Sequence, residues 1–400
     1  MHDGESQPPS IQLVVDYSTT TTATTAATSP DVPGLTRNHP TKSSKKSLSS
    51  ILARLHAGYF RISLSLGSQA LLLKTLHQIS NQNQTTNNHE SSSPQLLTFF
   101  HIFPPNISQL LWYISLLVLI SLSFLYILRC IIHLHLVKAE LVHHVGVNYL
   151  FAPWTSWLLL LQSTPTFIAP KNIPCLTLWW ASSIPIIILD IKIYGQWFTT
   201  EKRFLSMAAN PTSQISVLGN LVGARAAAKM GWKESAVCMF SLGMVHYLVL
   251  FVTLHQRLSG GDRLPIMLRP VFFLFFAVPS MASLAWSSIS GSYDNGSKML
   301  FFLSLFLFAS LACRPMLFKK SMRKFNIAWW AYSFPMTMLA LASTEYAAEV
   351  KGDAAAILML IITSLSMVVF IGLMLFTLLN VAKLLCENDP FLSFAKHPMA

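Results

Sequence analysis

Apolar positions in this chain come in long runs, unlike the short alternations of a soluble fold. Ten runs of about 20 residues, the length a helix needs to cross a bilayer, cover 55–79, 107–132, 145–168, 173–194, 210–229, 234–257, 267–289, 295–315, 325–346 and 354–383. The first is the least apolar: "LHAGYFRISLSLGSQALLLKTL" carries Arg61, Gln69 and Lys74. The runs also alternate in character. Even-numbered ones are mostly Leu, Ile, Phe and Met, as in "MLFFLSLFLFASLA". Odd-numbered ones are richer in small residues, hydroxyls and prolines: Gly58 and Gly67 in the first, Pro153 and Thr155 in the third, Gly219 and Gly223 in the fifth, Pro279 and Ser283 in the seventh, Pro335 and Thr337 in the ninth. Small residues let helix backbones approach, and proline frees carbonyls that are tolerated only inside protein or against water. The predicted fold is therefore an all-α integral membrane domain of ten helices. They form five hairpins around a central pore, with odd helices inner and even helices outer.

Composition agrees: 52% of the 400 residues are hydrophobic and 11% charged, against about 25% charged in soluble domains. The net charge of +12 does not point to nucleic acid, because the basic residues sit in short clusters between apolar runs. With both termini inside, 20 of the 28 Lys and Arg fall on the inner side and 6 on the outer, leaving Arg61 and Lys74 within the first run. That bias is the positive-inside rule. The three N-x-[ST] acceptors, Asn83, Asn106 and Asn295, all fall in loops this topology puts outside. Residues 1–54 read as a disordered cytosolic tail, since 18 of the first 50 are Ser or Thr and such a segment buries too little to order itself. In it, "TKSSKKSLSS" offers basic-flanked serines to a protein kinase, or is simply a solvated basic stretch. Residues 55–383 form the channel domain and 384–400 a short cytosolic tail.

Other signals point away from chemistry. Cys130, Cys175, Cys238, Cys313 and Cys386 are scattered singly without metal spacing. Cys175 and Cys238 both fall near outer ends, where a disulfide is one reading and packing the other. His133, His135, His143 and His144 read as solvated inner-loop histidines, Asp190 and Lys192 as a structural polar cluster, and Glu345 and Glu349 as a solvated outer rim. No nucleophile–base pattern, cofactor motif or metal motif is present, so an enzyme is not expected.

In an inner ring with hydroxyls, free backbone dipoles and almost no fixed charge, "FNIAWWAYSFPMTMLALAS" stands out. Phe334 beside the kinking Pro335 either blocks a lumen by size and dewetting or is an ordinary packing aromatic. Four stretches carry a resemblance: "FNIAWWAYSFPMT", "RPVFFLFFAVPSMASLAW", "GMVHYLVLFVTLHQRL" and "LDIKIYGQWFTTEKRFLSMAANPTSQISVLGNLVGA". In order and spacing, from about residue 55 to 380, the chain resembles the plant slow-type (S-type) anion channels, relatives of bacterial tellurite-resistance and dicarboxylate transporters. D-x-K-x-Y-G-Q-W (Asp190 to Trp197) and A-W-W-A-Y-x-F-P-M-T (Ala328 to Thr337) are the rarest strings.

The resemblance implies trimers of a plasma-membrane channel passing chloride or nitrate, gated by a phenylalanine that matches Phe334. Pore candidates are then Phe334, Pro335, Thr337, Arg61, Pro279 and Pro153. Two departures qualify it. Kinase-regulated members carry a long N-terminal extension, whereas about 55 residues precede the first run here. Conducting relatives tend to have Gly where this chain has Arg61, and an ionised side chain in a spanning helix costs about 2.5–3.5 kcal/mol. Arg61 is an anion site, a plug, or a snorkelling structural residue. An electrically silent subunit that assembles with a conducting relative is the main alternative. A proton-coupled organic-anion carrier is a third, disfavoured by the lack of mid-membrane Asp or Glu in the odd runs.

Overall fold

The computed structural model describes residues 49–86, 105–165, 173–199, 209–259, 266–319, 321–323 and 325–381. The tails expected over 1–54 and 384–400 lie outside these residues apart from 49–54, as does Cys386. Every regular element among the described residues is helical. The longer helices are α1 (Arg61–Thr86), α2 (Pro105–Ile132), α3 (Phe151–Gln162), α4 (Ile173–Thr199), α5 (Gln214–Lys229), α6 (Lys233–Ser259), α7 (Leu274–Ser290), α8 (Asn295–Ala312), α9 (Trp330–Val350) and α10 (Asp353–Leu379).

Consecutive helices pair: α1 with α2, α3 with α4, α5 with α6, α7 with α8, α9 with α10. The first helix of each pair also packs on the next pair's first helix, and α9 closes back on α1, so α1, α3, α5, α7 and α9 form a ring. Ring helices bury their polar residues as well as their apolar ones: Ser65, Thr155, Ser216, Ser283 and Thr337 have no more than 0% exposure each. On the second helices, large apolar side chains face outward, such as Leu117 and Phe124 of α2 or Ile188 of α4. Water does not tolerate so wide an apolar surface on a monomeric soluble protein; lipid does. Among the described residues six stretches are long and apolar enough to cross a membrane, and all five outer helices are among them. The sixth, Arg269–Ser290, is 67% buried where the outer ones are 17–39% buried, so its apolar residues face protein. The chain is a multi-pass α-helical membrane protein.

A feature that single runs do not reveal recurs at the start of the ring helices. Each is preceded by a tight segment: Ala57–Phe60, Gly146–Tyr149, Pro211–Ser213, Ile266–Phe273 and Ile327–Trp329. Four of these are held the same way, by a side chain accepting a backbone N–H two residues on. His56 Nδ1 accepts from Gly58 (3.0 Å), His143 Nδ1 from Val145 (3.2 Å), Asn210 Oδ1 from Thr212 (2.9 Å) and Asn326 Oδ1 from Ala328 (3.0 Å). Such caps satisfy donors that a helix start leaves orphaned. His and Asn fill one role, which hides the repeat in the sequence.

Several expected boundaries move. Arg61 starts α1 and is not enclosed within it. The run at 145–168 is a one-turn Gly146–Tyr149 followed by the 12-residue α3. Pro153 occupies its first turn, where a missing N–H costs nothing, so it makes no kink. Among the described residues Cys130, Cys175, Cys238 and Cys313 form no disulfide, which removes the Cys175–Cys238 pairing.

Candidate functional site

The tight turns bring the starts of all five ring helices together around a narrow cavity of about 20 Å³, room for roughly one water. Arg61 and Leu64 reach it from α1, Thr155 from α3, Ile215 and Leu218 from α5, Leu274 from α7, and Trp330, Ala331 and Phe334 from α9, with Tyr149 and Val271 from the preceding turns. A space touched by every member of a ring lies on its axis.

Phe334 is the fifth residue of α9 and 4% exposed. Thr155 and Leu218, fifth in α3 and α5, are the smaller residues that share its level of the cavity. Pro335 has no N–H to give, so the carbonyl of Ala331 one turn back lacks its helical donor, and Ala331 lines the cavity. Behind the aromatic, a buried amide fixes the proline-containing helix. Gln69 Nε2 on α1 donates to Thr337 Oγ1 (3.0 Å) and Ser366 Oγ on α10 (2.9 Å), while Thr337 donates to Ser333 O (2.9 Å). Thr337 therefore faces this clamp and does not reach the cavity. Pro279 sits sixth in α7, as Pro335 does in α9, but neither it nor Pro153 borders the cavity.

Arg61 is the one charged residue lining that space. Its side chain is 7% exposed, its Nε donates to Gly58 O at 3.2 Å, and its guanidinium lies 4.4 Å from the centre of the Tyr149 ring. Its Nη1 has no hydrogen-bond partner. Snorkelling does not describe this arrangement, since Nη1 is buried away from water. Under the turn, Glu140 Oε1 accepts the Ala57 N–H (2.8 Å) while its Oε2 meets Arg129 Nη1 at 2.7 Å, both side chains 2–3% exposed. Gly146 lies against this support: a Cβ there would come within 2.5 Å of Glu140 O.

At the far end, about 16 Å along α9 by its rise per residue, the axis widens into a vestibule of about 680 Å³. Of the expected solvated rim, Glu349 is exposed and lines this vestibule, whereas Glu345 is paired: its Oε1 meets Arg225 Nη2 at 2.6 Å and its Oε2 accepts from Ser287 at 2.9 Å. Arg225, one of the six charges that the topology assigns to the outer side although it falls within the run 210–229, is fully buried. Lys74, expected mid-helix, donates to the carbonyls of Gln162 (3.0 Å) and Thr164 (2.7 Å), which close α3. The signal that could have found the pair is an Arg inside a run of small residues, because a charge in a spanning segment needs a partner.

The remaining candidates are scattered. Asn106 and Asn295 are exposed at the starts of α2 and α8, and Asn83 lies in the last turn of α1. All three are at the vestibule end, where Trp112 Nε1 of α2 donates to Leu160 O near the end of α3 at 3.0 Å. Asp190 and Lys192 do not form one cluster: Asp190 accepts from Asn220 at 2.6 Å, whereas Lys192 donates to Leu141 O. His133, His135, His143 and His144 form no metal-holding group, and none exists among the described residues.

A family model described as voltage-dependent anion channel matches residues 54–378. The chain is 57% identical over 351 residues to the S-type anion channel SLAH1 of Arabidopsis thaliana, spanning 88% of each. Against the S-type anion channel SLAH4 of the same plant it is 56% identical over 338 residues, covering 84% of this chain and 87% of the relative. It is 40% identical over 351 residues to the guard cell S-type anion channel SLAC1, covering 87% of this chain and 60% of that one. These relatives are named as channels, not enzymes. With a match across the whole helical domain, the chain belongs to the S-type, SLAC1-type family of anion channels.

Proposed function

We propose that the ring axis is a conduction path for small monovalent anions, chloride and nitrate, closed in this conformation by Phe334. The observation that carries the proposal is the axial cavity itself, reduced to about 20 Å³ by a phenylalanine on a proline-containing helix. The chemistry around it suits an anion. Five helix starts converge there, each bearing about half a positive charge, and Arg61 adds a buried donor with an open valence. All ten helices cross the bilayer in this reading, as five hairpins in a plasma-membrane subunit that assembles as a homotrimer or with other family members. Both termini are cytosolic, which fits the 20-to-6 division of basic residues and the three Asn acceptors gathered at the vestibule end. Serines of the N-terminal tail are offered to a kinase.

Two-electrode voltage clamp of wild type, Phe334→Ala and Arg61→Gly, with surface expression measured in parallel, tests this. Phe334→Ala is expected to open an anion current; unchanged current at full surface expression rejects the gate. A second reading, a silent subunit that modulates a conducting relative, is favoured by Arg61 lying in the path itself. It expects current only when Arg61→Gly is present, and altered gating of a co-expressed relative. A relative whose currents and pull-down recovery are untouched removes it.

A further inference from the structure

The Arg225–Glu345 pair joins helices that are not neighbours in the ring. Between α5 and α9 stands α7, and the bond passes in front of it, with Ser287 of α7 donating to the second oxygen of Glu345. Behind it, Gln162 of α3 accepts from Arg225 Nη1 at 3.5 Å. A contact that reaches past an intervening ring helix lies on the lumen side, and the vestibule touched by Glu345 is lined from α1, α5, α7 and α9. Arg225 is fully buried and its Nε has no hydrogen-bond partner. Glu345 is different: its side chain is 20% exposed and faces the vestibule. Lys229 lines this space and the adjoining one that also holds Lys74. The site therefore has a fixed, dry cation at its base, Lys229 and the exposed Glu349 of opposite sign at its rim, and a carboxylate on a side chain that reaches water.

We infer that Arg225 is the base of a second anion-binding site, at the wide end of the axis, and that the Glu345 carboxylate occupies it as a tethered anion. A small inorganic anion entering from the vestibule takes the place of Glu345 Oε1 when that side chain swings into the open volume. Oxygen of a carboxylate, nitrate oxygen and chloride all accept from the same guanidinium fork, so competition needs no rearrangement of Arg225. The site rests on the axial path proposed above for its use in conduction. Its test reads binding without current, so that a silent pore and an absent site give different results.

The full chain is purified in detergent and its melting temperature followed while sodium chloride or sodium nitrate replaces sodium gluconate at constant ionic strength. Glu345→Gln removes the tethered anion and leaves Arg225 buried without its counter-ion. Its melting temperature is expected to be low in gluconate and to rise saturably with chloride or nitrate, by about 5 °C at a hundredfold excess over the dissociation constant. The Arg225→Gln/Glu345→Gln double variant is expected to show only the small response of wild type. Equal responses from the single and double variants overturn the proposal. Should Glu345→Gln yield no folded protein, Glu345→Asp decides by the same criterion: its shortened carboxylate gives a smaller rise of the same sign, and no excess over the double variant overturns the site.

Discussion

Where the ring helices begin, the axis narrows to about 20 Å³ between Phe334, Trp330 and Leu218 and holds one cation. Where they finish, it opens into about 680 Å³ around a carboxylate already paired with Arg225. All five ring helices make the narrow end and α1, α5, α7 and α9 the wide one, and their direction explains much of the contrast. Starts converge at the narrow end with positive partial charge, and Phe334, the proposed gate, stands there. Finishes converge at the wide end with negative partial charge, and there Lys74, Arg225 and Lys229 offset it. Each end also has one buried ion pair. Arg129–Glu140 is dry on both sides, with side chains 2% and 3% exposed, and bolts the Ala57 turn. Arg225–Glu345 is dry on one side only.

The largest effect tests that difference directly. Glu140→Gln leaves Arg129 buried and unpaired and is expected to cost about 3–5 kcal/mol of stability. Unlike Glu345→Gln, it is expected to gain nothing from added chloride, because Arg129 is 2% exposed and lines neither the axial cavity nor the vestibule. Thermal melting in gluconate and in chloride checks both halves, and a chloride rescue of equal size would erase the distinction drawn between the two pairs.

Next in size is Phe334→Ala, expected to raise anion current about tenfold or more, equivalent to about 1.4 kcal/mol off the barrier. If the wide end were the closed one, this substitution would leave current unchanged while Glu345→Gln alone opened it. Below it comes Gln69→Leu, which leaves Thr337 and Ser366 without their amide donor. Loss of one buried hydrogen-bond partner costs about 1–3 kcal/mol, here drawn partly from the seating of α9. A lower melting temperature with a partial rise in current is expected; a lower melting temperature with no change in current would show that the clamp holds the fold and not Phe334.

The outer helices were legible in the sequence because lipid demands a single property, continuous apolarity, and their runs at 107–132, 173–194, 234–257, 295–315 and 354–383 correspond to α2, α4, α6, α8 and α10 within a few residues. The inner helices were legible in kind but not in extent. The third run hides a turn at Gly146–Tyr149 because that turn is itself helical and fully buried, like most of the helix that follows. Phe334 and Arg61 were singled out by local composition, and the structure brings them to one cavity. Thr337 could not be separated from them, since which face of α9 it takes depends on Gln69, 268 residues earlier. Arg225 and Glu345 are 120 residues apart, and each read alone is an outer-side charge. What the linear pattern lacks is pairing between helices, and both misplaced residues are misplaced for that reason.

The smallest effect concerns the rim of the wide end. Lys229 closes α5, faces the vestibule and has an exposed side chain, so its charge acts through water and its influence is screened within about 10 Å at 0.1 M salt. Lys229→Gln is expected to halve anion current roughly, at low ionic strength, by lowering the local anion concentration, and to have little effect at physiological salt. Arg61→Lys at the narrow end keeps the charge in a space closed to bulk ions, so any change it brings should persist across the same salt series. Recording both variants in the Phe334→Ala background at two ionic strengths separates the ends: a salt-dependent loss belongs to a wet rim, a salt-independent one to a dry throat. If both losses follow salt equally, water reaches Arg61, and the narrow end is not closed by Phe334 alone.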